Sequence, residues 1–223
     1  MSETVITVQG AFSAWYPAER AVVSVIVQVD GAERDPVFAR ATAAAERLRA
    51  SLIALHDAAA GPVTWWSSDS VRISSSRPWT HDGTLAPIVY AASVGFSARF
   101  GDFDALALWV ESTAALDGVT IADIRWELTD ATRVVATTEV RSRSVKDAVT
   151  KATVFAQSIG LASVTAIALA DPGMLGDQAG GSTDPVRLMK ADRMAAADGS
   201  PALTLKPEQI EVSSVVDARF VAR

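Results

Sequence analysis

Apolar and polar positions alternate through the first thirty residues. In TVITVQG, Val5, Thr7 and Gln9 fall on one side and Ile6 and Val8 on the other, which predicts a short strand ending at Gly10. After a turn around Pro17, RAVVSVIVQVDG repeats the pattern. Val23, Val25, Val27 and Val29 share one face, Ser24 and Gln28 the other, and Asp30-Gly31 signals a turn. The period then changes. Asp35 is a good N-cap and Pro36 suits the first helical position. Phe38, Ala41, Ala45, Leu48, Leu52, Leu55 and Ala59 recur at spacings of three and four, one apolar stripe of a helix that Gly61-Pro62 stops.

Val63 to Arg77 reads as one strand, with Val63, Trp65, Val71 and Ile73 on one face and Trp66, Ser68, Ser70, Arg72 and Ser74 on the other. Trp65 is expected in the core. A loop, SRPWTHDG, leads to a second strand, APIVYAASVGFSARF. Asp102 is expected to cap a shorter helix whose inner face carries Phe103, Leu106, Ala107, Val110 and Ala114. In the strand GVTIADIRWEL, Ile121 shares a face with Arg125 and Glu127, while Ile124, Trp126 and Leu128 follow the other face only from mid-strand. A third helix is expected from Thr132 to Ile159, burying Val145, Ala148, Ala152, Phe155 and Ile159. Glu139, Arg143, Asp147 and Lys151 form an i, i+4 ladder of alternating charge on roughly the opposite side, read as a solvated face. SVTAIALA is the next strand. Residues 171–201, rich in Gly, Asp and Pro, read as a mobile loop, with a helical turn or two in VRLMKADRMAAADG. PEQIEVSSVVDARFVA closes the chain as a strand.

The order ββαβ–βαβαβ–loop–β predicts an α+β protein of two αβ halves, its mixed, largely antiparallel sheets covered by long helices. A chain of 223 residues is expected to be one domain over 1–223, with halves at 1–80 and 81–223.

Composition narrows the chemistry. The chain has no cysteine, which removes disulfides, thiolate nucleophiles and all-cysteine zinc sites. The formal charge of -6 repels phosphate backbones, and no basic stripe opposes it, so nucleic acid is not an expected partner. The most apolar run, AVVSVIVQV, is about half the ~20 residues a membrane helix needs, so no span is expected. The start MSETVITVQG lacks the basic, apolar and small-residue parts of a signal peptide, which predicts a cytoplasmic location.

The third helix carries a resemblance. In EVRSRSVKDAVTKATVFAQSIG, the residues Glu139, Arg141, Val145, Asp147, Ala148, Lys151, Ala152, Ala156 and Gly160 resemble the pattern of the SIMPL-domain family, long catalogued as a domain of unknown function. Ala148, Ala152, Ala156 and Gly160 sit four apart, which lets a neighbouring element approach closely. ITVQG, Tyr90 before a central strand, GVTIADIRWELTD and DRMAAADG…LKPEQIEVSSVVDARF resemble other parts of the family in the same order. GAFSAWYPAER departs from it, with Glu19 where an aspartate is usual, and many relatives carry an export signal. The resemblance implies an αβ protein, often in the bacterial periplasm. Some members are linked to oxidative-stress tolerance, surface immunogenicity or kinase signalling, and self-assembly fits them. It brings no agreed catalytic residues.

The residues themselves leave three readings. The first is a non-enzymatic protein acting through self-assembly or contacts with another protein, near Trp66, Trp79 or the 171–201 loop. The second is a module for a small ligand or glycan built from Trp66, Arg72, Trp79 and Tyr90, with Trp66 either covered by a helix or loop or exposed beside Arg72. The third is a hydrolase using His81, although there is no G-x-S-x-G elbow and GDQAGGST lacks the Gly-Lys-Ser/Thr of a phosphate loop. His56 and His81 have no metal-ligand spacing, so neither metal nor cofactor is expected. Asp102 and Asp130 read as helix caps, and Glu127 beside Arg125 as a surface pair.

Overall fold

A computed structural model describes residues 3–79, 82–175 and 205–223. His81, and the helical turn expected in VRLMKADRMAAADG, lie outside the described residues. The elements are β1 (Thr4–Pro17), β2 (Arg20–Gly31), α1 (Arg34–Leu55), β3 (Val63–Ser68), β4 (Arg72–Ser76), β5 (Val89–Phe100), α2 (Phe103–Ala114), β6 (Val119–Glu127), α3 (Asp130–Ser158), β7 (Val164–Ala170) and β8 (Gln209–Ala222). This is the expected α+β order, with one strand broken in two.

The chain forms two compact units. Among the described residues, one comprises 3–16, 129–175 and 209–223; the other comprises 17–79, 82–128 and 205–208. A division at residue 80 falls inside the second unit. The reason is pairing: β1 joins a sheet of order β1-β8-β7 with the last strand of the chain, rather than with β2, its neighbour in sequence.

The second unit holds a five-stranded sheet of order β3-β5-β2-β6, with β4 also on β5. Its described ladders are antiparallel. The alternation in β2 is realised: Val23, Val25, Val27 and Val29 are buried. The first three pack with Val94, Phe96, Ala98 and Phe100 of β5, with Ala45, Leu48 and Leu52 of α1, and with Leu106, Trp109 and Val110 of α2, and Val29 packs with Val37, Ala41 and Ala92. α1 buries Val37, Ala41, Ala45, Leu48 and Leu52, so the stripe begins one residue earlier than expected and Phe38 is exposed. Glu33 rather than Asp35 is the N-cap, without a side-chain bond. The helix stops at Leu55 because Asp57 turns the chain, its carboxylate accepting from the backbone of Ala59 (2.8 Å) and Ala60 (3.4 Å). Asp102 caps α2 as expected, accepting from the backbone N–H of Asp104 and Ala105, both at 3.0 Å.

Three irregularities change which side chains share a face. Val63 pairs with Phe100 and Trp65 with Arg99, so Thr64 is an extra residue. Ser68 pairs with Phe96 but Arg72 with Ser93, so the edge breaks at Asp69–Val71. Ser24 pairs with Asp123 and Val25 with Ile121, leaving Ala122 as the extra residue. The first inverts the expected placing of the tryptophans. Trp66 packs on the core, and Trp65 is 43% exposed with the Arg99 guanidinium 5.5 Å from its ring centroid. The third explains why the face assignment of β6 changes mid-strand: Ile121, Ile124 and Trp126 all pack on the core.

In the first unit, β1 runs fourteen residues instead of stopping at Gly10. Gly10 is the point of closest approach to α3. A Cβ there would lie 2.1 Å from Ser144 O and 2.7 Å from Ala148 N. Thr129 caps α3 through its hydroxyl. The helix buries Ala136, Val140, Ser144, Ala148, Ala152 and Ala156, a row at a spacing of four made mostly of small residues. Of these, Ala148, Ala152 and Ala156 lie with Ile6, Val8, Ala218, Phe220 and Ala222 of β1 and β8. Phe155 and Ile159, expected in the core, are 55% and 58% exposed. A helix drawn this close leaves no room for large side chains beneath it, so they are set to its flank.

Candidate functional site

The third-helix charge ladder does more than face solvent. Glu139–Arg143 and Asp147–Lys151 form i, i+4 ion pairs at 2.8 and 2.7 Å. Each also reaches β1. Asp147 accepts from the Ala11 N–H at 2.9 Å, and Lys151 Nζ donates to Gln9 O at 3.0 Å. Tyr16 Oη donates to Glu139 at 3.1 Å, and Arg143 sits 5.0 Å from the Phe12 ring centroid. The ladder therefore occupies backbone groups on the outer edge of a sheet, where an unguarded strand would invite pairing. The Lys151 hydrogen bond, then that from Ala11, holds the Asp147 carboxyl below its ordinary range. Tyr16 is pushed up, first by lost hydration and then by the Glu139 carboxylate.

The opposite edge of this sheet is β7. Its residues VTAIALA carry no charge, and no other described strand pairs along its outer side. Ile167 and Leu169 are 53% and 51% exposed, and Met174 just beyond the strand is exposed too. Ala166 pairs with Phe220 and Ala168 with Arg219, so Ile167 is an extra residue at a bulge.

In the second unit, the face of the five-stranded sheet turned away from α1 and α2 is polar. Ser24, Ser97 and Ser67 lie side by side across β2, β5 and β3. Gln28, Ser93 and Arg72 form a parallel row across β2, β5 and β4. Between the two rows lie Ile26 and Gly95, and the break in the edge brings Asp69 there. The Asp69 N–H donates to Gly95 O at 2.8 Å, and its carboxylate lies 2.7 Å from where a Gly95 Cβ would stand. Two grooves meet here. One, of about 210 Å³, is lined by Ser24, Ser67, Asp69, Gly95, Ser97 and Ala122 among others; the other, of about 150 Å³, by Ile26, Asp69, Ser70, Arg72, Ser93 and Gly95.

The four residues expected to form a ligand site do not share one face. Trp66 packs on the main core and Tyr90 on the cluster of Val29, Val37, Ala41 and Ala92, both on the helix side of the sheet. Arg72 lies on the opposite side. Trp79 is 72% exposed in the connection from β4 to β5, bridged to Leu85. Only Arg72 lines a groove, and its companions there, Asp69 and Gly95, were not singled out by sequence. Their signal was the glycine inside a strand, which marks a bulge or a close approach. Glu127 pairs with Arg20 at 3.2 Å and Arg125 with Asp123 at 3.6 Å, so the expected Glu127–Arg125 pair is replaced by two others. Among the described residues, no group of three or more His, Asp or Glu could hold a metal ion, and no helix is long and apolar enough to cross a membrane.

The sequence pattern of the SIMPL family, described as protein of unknown function, matches residues 6–220, nearly the whole chain. No curated protein matches the chain.

Proposed function

The chain belongs to the SIMPL family, and from that premise we propose that it works without a chemical step, by assembling with copies of itself through β7. The contrast between the two edges of the three-stranded sheet carries this reading. β1 has Gln9 and Ala11 tied by α3 side chains, whereas β7 is uncharged and lined by exposed Ile167 and Leu169. Soluble proteins guard edges with charge, especially lysine, or by covering them. The bulge at Ile167 twists the edge but adds no charge. An antiparallel β7–β7 pairing about a twofold axis would join two sheets into one, with main-chain hydrogen bonds for affinity and Ile167, Leu169 and Met174 for apolar contact.

Light scattering over a range of concentrations tests this. The wild type is expected at a multiple of the 23.4 kDa chain mass, and the double variant Ile167→Lys/Leu169→Lys at the single-chain mass. Both substitutions replace exposed side chains, so the far-ultraviolet circular dichroism should stay unchanged, while the melting temperature should lose its dependence on protein concentration. A wild type that remains at one chain mass, or a double variant that assembles as before, refutes the proposal.

A further inference from the structure

The polar face of the five-stranded sheet holds an unusual pair of charges. Asp69 and Arg72 are three residues apart on one edge and line one groove, yet neither side chain has an ion pair or hydrogen bond among the described residues. The backbone explains why they do not satisfy each other. The bulge at Asp69–Val71 lays the Asp69 carboxylate back over Gly95, in space that any other residue at that position would fill with its own Cβ. Arg72 stands on the far row, where its partner across the sheet is Ser93. An aspartate and an arginine that do not pair with each other thus line one groove, and Ser24, Ser67 and Ser97 line the groove that adjoins it at Asp69 and Gly95.

We infer that this groove binds a small free zwitterion of the amino-acid class. Its carboxylate is received by Arg72, its ammonium by Asp69, and the serine hydroxyls complete the hydrogen bonds. The charge arrangement selects this class. An anion alone meets Arg72 but is repelled by Asp69, and a cation alone meets Asp69 but is repelled by Arg72. A neutral polyol would leave both charges without an ionic partner. Arg72 presents a planar fork suited to a carboxylate, and Asp69 accepts from an ammonium. The site is independent of β7 and of any assembly made there.

Nuclear magnetic resonance titration of the full chain with glycine, L-serine, propionate, ethylammonium and glucose tests it. Glycine or L-serine is expected to give saturable amide shifts at Gly95, Ser93 and Ser67. Propionate and ethylammonium should bind at least tenfold more weakly, and glucose not at all. Asp69→Asn and Arg72→Met should each weaken zwitterion binding at least tenfold while leaving the remaining spectrum in place. Gly95→Ala should do the same by pushing the carboxylate off its seat. The inference is overturned if no zwitterion gives a saturable shift, if propionate, ethylammonium or glucose binds as well, or if the variants bind as the wild type does.

Discussion

Replacing Gly10 by alanine places one methyl group where α3 lies against β1. The added Cβ would stand 2.1 Å from Ser144 O, 2.7 Å from Ala148 N and 2.8 Å from Ala148 Cβ. Two of those atoms are helix backbone, which no rotamer change can move. The helix and strand must separate, and the separation strains Asp147 to Ala11 N–H and Lys151 to Gln9 O as well. Overpacking of this kind costs about 1–3 kcal/mol, and rigid neighbours place Gly10→Ala in the upper part, about 2–3 kcal/mol. For a chain of this length a melting temperature moves roughly 2–4 °C per kcal/mol, so a fall of about 4–12 °C is expected. Urea unfolding followed by circular dichroism measures the free energy directly. Gly101→Ala is the control, because its nearest neighbour would be Thr64 Cγ2 at an ordinary 3.9 Å. It should be neutral, or stabilising by about 0.4–1 kcal/mol through the unfolded chain. If Gly10→Ala unfolds within about 0.5 kcal/mol of the wild type, α3 does not rest on β1 at that residue and the account of the small-residue row is wrong.

Two other consequences are measurable. Asp147 has a folded-state pKa below its ordinary value, so its contribution is complete above about pH 4 and is lost as pH falls through the lowered value. The stability difference between wild type and Asp147→Asn, about 0.5 kcal/mol near neutrality for an exposed pair, should therefore shrink toward pH 3, and a gap that widens on acidification contradicts the ion-pair geometry. Trp109 Nε1 donates to Ser51 Oγ at 3.0 Å under the buried face of α2. Trp109→Phe should cost about 2–3 kcal/mol from the lost bond and the smaller ring, the Ser51 hydroxyl keeping its own bond to Leu48 O at 2.7 Å, and Ser51→Ala about 1 kcal/mol; equal costs would mean that the bond dominates and the packing does not.

Local patterns along the chain were enough for the order of elements, the buried face of β2, the capping of α2 by Asp102 and the close-packing row Ala148, Ala152 and Ala156. Each is a local signal: a period, a cap or a small side chain at a spacing of four. What depended on a partner strand was not legible. Alternation assigns faces only until a residue is inserted, and Thr64, Asp69–Val71 and Ala122 are insertions defined by register against β5 and β2. They moved Trp66 to the core, Trp65 to the surface, and Asp69 over Gly95. Phe155 and Ile159 belong to the same lesson, since hydrophobicity made them core candidates and the nearness of α3 to its sheet turned them out. The pairing of β1 with β8 was likewise settled only in three dimensions, because no local period, cap or turn records which strand at the far end of a chain will be a neighbour.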